Sequence, residues 1–274
     1  MKKLLLLLAL FSGCIINAQT FRVSIADSLK QPVLDGRLLL LLSKNDSAEP
    51  RFQVNDGAQT QMVFGINVDQ WLPASDELID AHAFGYPIER LNDVPAGDYY
   101  VQVLLHKYET FHLQNGKTVK LPMDRGEGQH WNIAPGNVYS TPVKIHFDPN
   151  TSNEIHLVID KIIPPIKEPE DTKYVKHIKI QSKLLSAFWG RPMYIGAHIL
   201  LPEGFDEHPN VHYPVAIFHG HFPADISDFR TTPPDENLKP DTNTRFRISG
   251  YNKIMQEEDY KFYKLWTGKN FPRV

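Results

Sequence analysis

Between Phe21 and Ile159 the apolar residues come in short runs, each cut off by turn-forming residues before a helix can complete its turns. Phe21-Arg22-Val23-Ser24-Ile25 alternates with period two. Residues 33–37 lead into five consecutive leucines at 38–42. Ser43-Lys44-Asn45-Asp46 ends that run so early that a strand is favoured over a helix. Residues 61–68 make another short apolar run. Residues 92–98 form a turn that enters a strand at 99–105, and Asn115-Gly116 sits where a hairpin turns. Residues 143–147 and 155–159 follow, parted by Asp148-Pro149-Asn150-Thr151. About seven short strands at this spacing predict an antiparallel β-sandwich over residues 20–160.

The grammar then changes. Residues 161–174 carry prolines and alternating charges, and so predict a linker with its boundary near Pro165. Residues 175–182 alternate as a half-buried strand, 184–192 make a turn, and 193–201 make a second strand. Residues 214–218 are apolar throughout, as expected of a third strand covered on both faces. Residues 221–249 hold four prolines and no periodicity, which predicts a long loop. A helix follows, with Tyr251, Ile254, Met255, Phe262, Leu265 and Trp266 on one face and Gly268 as its stop. Phe271-Pro272-Arg273-Val274 reads as the opening of a fourth strand.

At 274 residues there is enough chain for two cores. A net charge of −3 gives no field that would gather nucleic acid, so no nucleic-acid partner is expected. Met1-Lys2-Lys3 followed by an apolar run to Phe11 reads as a signal peptide over residues 1–19, too short to span a bilayer. Two processing routes remain open. Cleavage after Ala18 gives a soluble exported protein of the bacterial periplasm or exterior. Phe11-Ser12-Gly13-Cys14 resembles a lipobox, and lipidation of Cys14 would give an outer-membrane lipoprotein. A membrane partner is expected only by that second route. Cys14 is the single cysteine, so neither a disulfide, a zinc–thiolate site nor a cysteine nucleophile is expected after it.

Two stretches carry family resemblances. The first is Val94-Pro95-Ala96-Gly97-Asp98-Tyr99-Tyr100-Val101-Gln102-Val103, which resembles a pattern common in Ig-like modules of secreted bacterial proteins and implies a sandwich, with no ligand. The second combines Tyr194-Ile195-Gly196-Ala197-His198-Ile199-Leu200-Leu201-Pro202-Glu203-Gly204-Phe205 with Tyr213-Pro214-Val215-Ala216-Ile217-Phe218-His219-Gly220-His221, the helix, and Asn270-Phe271-Pro272-Arg273-Val274. Residues 175–274 thereby resemble the start of an α/β-hydrolase domain of the esterase D and enterochelin-esterase-like group.

That resemblance implies that Gly220 and His221 form an oxyanion-hole arm, with the backbone N–H of His221 donating to the developing alkoxide. Glycine there allows a tight turn and close approach to substrate. The family also needs a serine in a G-x-S-x-G elbow, then an acid, then a histidine. No G-x-S-x-G occurs in this sequence, and Ser182, Ser186, Ser227 and Ser249 lack that context. The expectation is therefore an N-terminal fragment: a sandwich followed by an incomplete hydrolase domain. It would have no catalytic residue of its own, no cofactor and no metal, and an uncovered sheet face and edge. The whole protein would act on a small-molecule or glycan ester. The alternative is a non-catalytic envelope protein whose sandwich binds carbohydrate and whose second domain is a degenerate hydrolase fold.

Other groups have plainer readings. His219 and His221, with His208 and His212 nearby, suggest a metal site, but structural sites bring closer ligand pairs and carboxylate or thiolate partners. A histidine pair at a loop end is the favoured reading. Asp225, Asp228, Asp235, Glu236 and Asp241 read as a solvated acidic loop without the EF-hand pattern. Trp71, Tyr86, Tyr99, Tyr100, Tyr108 and Trp131 offer rings for stacking on sugars, though at strand spacing most read as core. Asn45 and Asn150 open glycosylation sequons without consequence in a bacterial chain.

Overall fold

The structure is a computed structural model that describes residues 19–218, 226, 229–243 and 245–269. It is mostly β and divides into two compact units. One comprises the residues up to Thr110, with Lys120–Met123 and His130–Pro165. The other comprises Phe111–Val119, Asp124–Gln129 and the residues from Ile166 onward.

The first unit is built on β1 (Thr20–Ile25), β2 (Leu34–Ser43), β3 (Met62–Trp71), β4 (Glu77–Ile79), β5 (Phe84–Tyr86) and β6 (Gly97–Lys107). A hairpin of β7 (Glu109–His112) and β8 (Thr118–Leu121), most of which belongs to the second unit, turns at Asn115-Gly116, where Gly116 takes a φ of 80° that favours glycine. Then come β9 (Val138–Ser140), β10 (Val143–Phe147) and β11 (Glu154–Ile162). Nine of these strands form one sheet in the order β4-β1-β11-β9-β6-β2-β3-β5, with β10 also paired to β6. The sheet is mixed rather than antiparallel as expected, because β1 runs parallel to β11 while its other pairs are antiparallel. It is also curled. A single buried cluster joins Phe21 and Ile79 near one end of the strand order to Phe64 near the other, which a flat sheet cannot do.

The leucine run finds its reason in this arrangement. β2 lies between β3 and β6, so neither of its edges is free. Leu38, Leu40 and Leu42 point into the main core. Leu41 points the other way, into a smaller cluster with Leu104 and Ile163, backed by Trp131, Val54 and Tyr139. Gly36 is demanded by packing, since a Cβ there would lie 2.2 Å from the carbonyl oxygen of His106. At the start of β6 the Tyr99 hydroxyl donates to the Pro95 carbonyl at 2.8 Å, tying the strand to the turn before it. Its ring meets Phe147 edge-on, and Phe147 stacks on Phe21. Trp71 is buried with its indole N–H donating to the Ser75 carbonyl.

A buried cation lies over the outer side of the sheet. Arg51 is only 8% exposed, and its guanidinium sits between the rings of Phe52 and Tyr139, 4.4 and 4.2 Å from their centroids. It donates to Glu49 at 2.9 Å and to the Asn132 carbonyl at 2.8 Å. The Gln102 side chain donates to the same Glu49 oxygen and to the Ser140 carbonyl. Hydrogen bonds from Gln102 and Arg51 hold the Glu49 carboxyl below its usual range, against a desolvation that pushes it up.

The second unit holds a hairpin of β12 (Val175–Gln181) and β13 (Tyr194–Leu200), α1 (Lys183–Trp189), a two-residue pairing of β14 (Thr242–Asn243) with β15 (Ile248–Ser249), and α2 (Tyr251–Trp266). Four expectations are corrected here. Residues 184–189 are helical rather than part of a turn, since Ser182 caps the N-terminus by accepting from the Leu185 N–H and Gly190 ends the helix at φ 67°. β11 continues to Ile162 and Ile163 is buried, so the sheet runs past the expected start of the linker. On α2, Ile254, Met255 and Leu265 are exposed. The inward side is partly polar instead, because Gln256 accepts from the Asp235 N–H and Asn252 donates to the Lys239 carbonyl, pinning the preceding loop to the helix.

The fourth correction concerns residues 214–218. They form no strand, and Ile217 and Phe218 are 89% and 96% exposed. An apolar run becomes a buried strand only where a ladder and a packed layer receive it. Among the described residues, β12 and β13 pair only with each other, and Ile178, Ile180 and Ile195 on their shared face are exposed. Residues 1–18 and 270–274, read as most of the signal peptide and as the opening of a fourth strand, lie outside the described residues.

Arg51→Ala leaves Glu49 and the Asn132 carbonyl without their cation and removes the filling between two rings. We expect a loss of about 2 kcal/mol in unfolding free energy, measured by urea denaturation followed through tryptophan fluorescence. A pH effect follows at the parallel pair. Arg22 holds Glu154 through two hydrogen bonds of 2.7 Å, and these, with His156, lower the Glu154 carboxyl from 4.5 to about 2. Because the folded value is depressed, this contribution to stability is present above pH 4.5 and is lost as pH falls toward 2. Carboxyl NMR titration is expected to find the Glu154 midpoint near 2, and near the ordinary range in Arg22→Gln.

Candidate functional site

Gly220 and His221, the expected oxyanion-hole arm, lie outside the described residues, as does His219. The structure therefore leaves their geometry open, and describes what surrounds the approach to them in sequence. β13 ends at Leu200, and Pro202 begins a turn in which Gly204 takes a φ of 78°. The Trp266 indole N–H, at the end of α2, donates to the Leu201 carbonyl at 2.8 Å. Tyr263 meets Tyr174 and Phe229 edge-on, with centroids 6.0 and 5.5 Å away, and Phe262 meets Phe229 at 6.0 Å. These rings pack α2 against Tyr174, just ahead of β12, and against Phe229.

Two polar clusters sit on this frame. Glu203 accepts from the Tyr174 hydroxyl and from Lys173, each at 2.6 Å. The hydrogen bond to Glu203 is the main reason the Tyr174 hydroxyl and the Lys173 ammonium are both pushed up from their ordinary values. His177 and His198 face each other across the β12–β13 ladder, their rings 4.8 Å apart and nearly perpendicular. Asp171 accepts from the His177 backbone N–H at 2.9 Å and lies 3.1 Å from its Nδ1. The backbone hydrogen bond is the larger cause of its lowered carboxyl pKa. Asp171, His177 and His198 thus fall on one side of the hairpin. Among the described residues no group of three or more His, Cys, Asp or Glu is arranged to hold a metal ion.

The first unit carries a different kind of surface. Of the aromatic residues expected as sugar platforms, Trp71 and Tyr99 are core, and Trp131 backs the smaller cluster. Tyr100 lies under the Lys144 ammonium, and Tyr108 meets His106 edge-on. Tyr86 alone of the six is well exposed, at 48%. Phe84, which sequence reasoning passed over, is 63% exposed beside it. Both project outward from β5 while Gly85 between them is buried, because β5 is an edge strand paired only through β3 and the bridge from Phe84 to Arg90. Phe84 lies opposite Gly65, whose missing side chain leaves room for Arg37: a Cβ there would be 2.7 Å from the Arg37 guanidinium. Arg37 donates to Asn67 at 3.0 Å. The signal in the sequence was Phe84-Gly85-Tyr86, a period-two aromatic pair around a glycine, too short to stand out as a strand.

Comparison of the chain with protein-family models, with curated proteins and with solved structures finds no match.

The α1 connection is a testable part of this frame. Gly190 is left-handed, and a Cβ there would lie 2.3 Å from the His112 carbonyl oxygen. Gly190→Ala is expected to cost at least about 1 kcal/mol and to speed amide hydrogen exchange in the α1 residues 185–189.

Proposed function

We propose that residues 175 onward carry one arm of a serine ester-hydrolase site, in an exported protein whose first unit is an Ig-like accessory sandwich. The observation that carries this reading is the order of features: strand 194–201, Pro202-Glu203-Gly204-Phe205, Tyr213-Pro214-Val215, then His219-Gly220-His221. The turn at Gly204 and the anchoring of α2 on Leu201 support it, because they bring the helix after the long loop back onto the hairpin, as the resemblance requires. The parallel pairing of β1 with β11 and the Tyr99–Pro95 hydrogen bond support the Ig-like reading of the first unit. In this scheme the His221 N–H stabilises the oxyanion of an acyl-transfer step. The nucleophilic serine, its histidine base and the acid come from residues outside this sequence, which has no G-x-S-x-G. Residues 214–218 become a paired strand only when those residues are present. The substrate is a small-molecule or glycan ester. Export follows either the Ala18 or the Cys14 route, and the mass of the mature N-terminus distinguishes them.

The test compares this chain with the product of its extended reading frame, using p-nitrophenyl acetate and a fluorophosphonate probe. The chain as given is expected to show no turnover above background and no labelling, and the longer product to show both. A reading frame that encodes no elbow serine within about a hundred further residues, the span expected of such a domain, would end this reading. So would turnover by the given chain that a serine reagent abolishes.

A second reading is favoured by the outward Phe84 and Tyr86. It makes the protein a non-catalytic envelope module that binds carbohydrate, with a degenerate hydrolase fold as its second unit.

A further inference from the structure

We infer that the outward face of β2, β3 and β5 is a binding site for an acidic polysaccharide, a chain of uronate-bearing sugars. The inference deepens the carbohydrate-binding reading of the first unit and rests on it. It is independent of the ester-hydrolase reading.

The face is laid out by register. Phe84 and Tyr86 are two residues apart on one strand, so their rings rise about 7 Å apart on the same side. Arg90 bridges to Phe84 from one side, and Gly65 lies opposite Phe84 on the other. The Arg37 guanidinium covers Gly65 and holds Asn67. By register, Phe84 thus has Arg90 on one side and, across Gly65, Arg37 on the other. Among the described residues neither arginine has an ion-pair partner within salt-bridge distance, whereas Arg22 and Lys144 on the same sheet, and Arg51 and Lys120 elsewhere in this unit, each pair with a carboxylate. Asp69, the carboxylate next along this side of β3, is taken up by Lys120.

The chemistry commits the ligand. Exposed rings on a sheet face stack on the apolar faces of pyranose rings, and the desolvation gain does not need a deep pocket. A guanidinium accepts a carboxylate in a two-point fork, which a neutral sugar cannot offer. Asn67 supplies an amide for hydroxyl groups. The chain as a whole carries a net charge of −3, so attraction of a polyanion has to be local to this face.

The test is affinity electrophoresis of the full chain, at about 150 mM salt to screen diffuse attraction, in gels containing polygalacturonate, neutral amylose or no polysaccharide. We expect retardation by polygalacturonate only. Phe84→Ala and Tyr86→Ala should each weaken it at least tenfold, and Arg37→Gln and Arg90→Gln should do the same. Both aromatic side chains are exposed, so their variants are expected to keep the parent melting temperature, and circular dichroism checks this. Equal retardation by amylose would overturn the acidic specificity while leaving the carbohydrate-binding reading in place. Retardation that survives Phe84→Ala and Tyr86→Ala would show adherence elsewhere and overturn the site. No retardation by any polysaccharide would overturn both.

Discussion

The first unit depends on β2 being a strand with no free side. Its edges are taken by β3 and β6, and its two faces feed two different clusters. A strand so placed has to be apolar without alternation, and five leucines in a row are the result. Placing so greasy a segment centrally removes it from water and from other chains. It also dictates what must lie on either side of it. The inner face needs a sheet that curls around its own core. The outer face needs a cover, which Trp131, Val54 and Tyr139 provide around the stacked Arg51. Where that cover stops, toward β5, the outer face reaches solvent with Phe84 and Tyr86 in the open.

Much of this was legible in local pattern. Residues 21–25, 99–105 and 143–147 announced themselves by alternation or apolar content between turns, and each is a strand within a residue or two. The short strands β4, β5 and β9 were not legible, because three residues give no period to detect. α1 was misread for a different reason. Its cap residues Ser182 and Gly190 were in view, but a seven-residue helix holds scarcely two turns of periodicity between them. On α2 the apolar count was right for Phe262 and Trp266 but not for Ile254, Met255 and Leu265, because Gln256 and Asn252, tied by hydrogen bonds to the preceding loop, share the covered side. Residues 214–218 failed as a strand because burial is a property of neighbours as well as of the run itself.

The candidate sites differ in how far sequence could reach them. An oxyanion-hole arm is a backbone feature marked by glycine after a strand-like run, so Gly220 and His221 are readable as a motif without being placed in space. The β5 face is the opposite case. Arg37, Gly65 and the short turn from Phe84 to Arg90 lie far apart along the chain, and only register brings them into one row. A glycine there does its work by lacking a side chain, which no propensity scale records.

The parallel pairing of β1 with β11 carries a consequence for how the chain comes to be folded. Arg22 and Glu154 are 132 residues apart. β1 can meet β4 early, but its other edge cannot close until β11 has been synthesised, while β2, β3 and β6 can assemble meanwhile from closer neighbours. High contact order of this kind slows closure and leaves one edge of the growing sheet open through most of translation. β1 therefore carries one open edge for that whole interval, available to whatever machinery handles nascent chains.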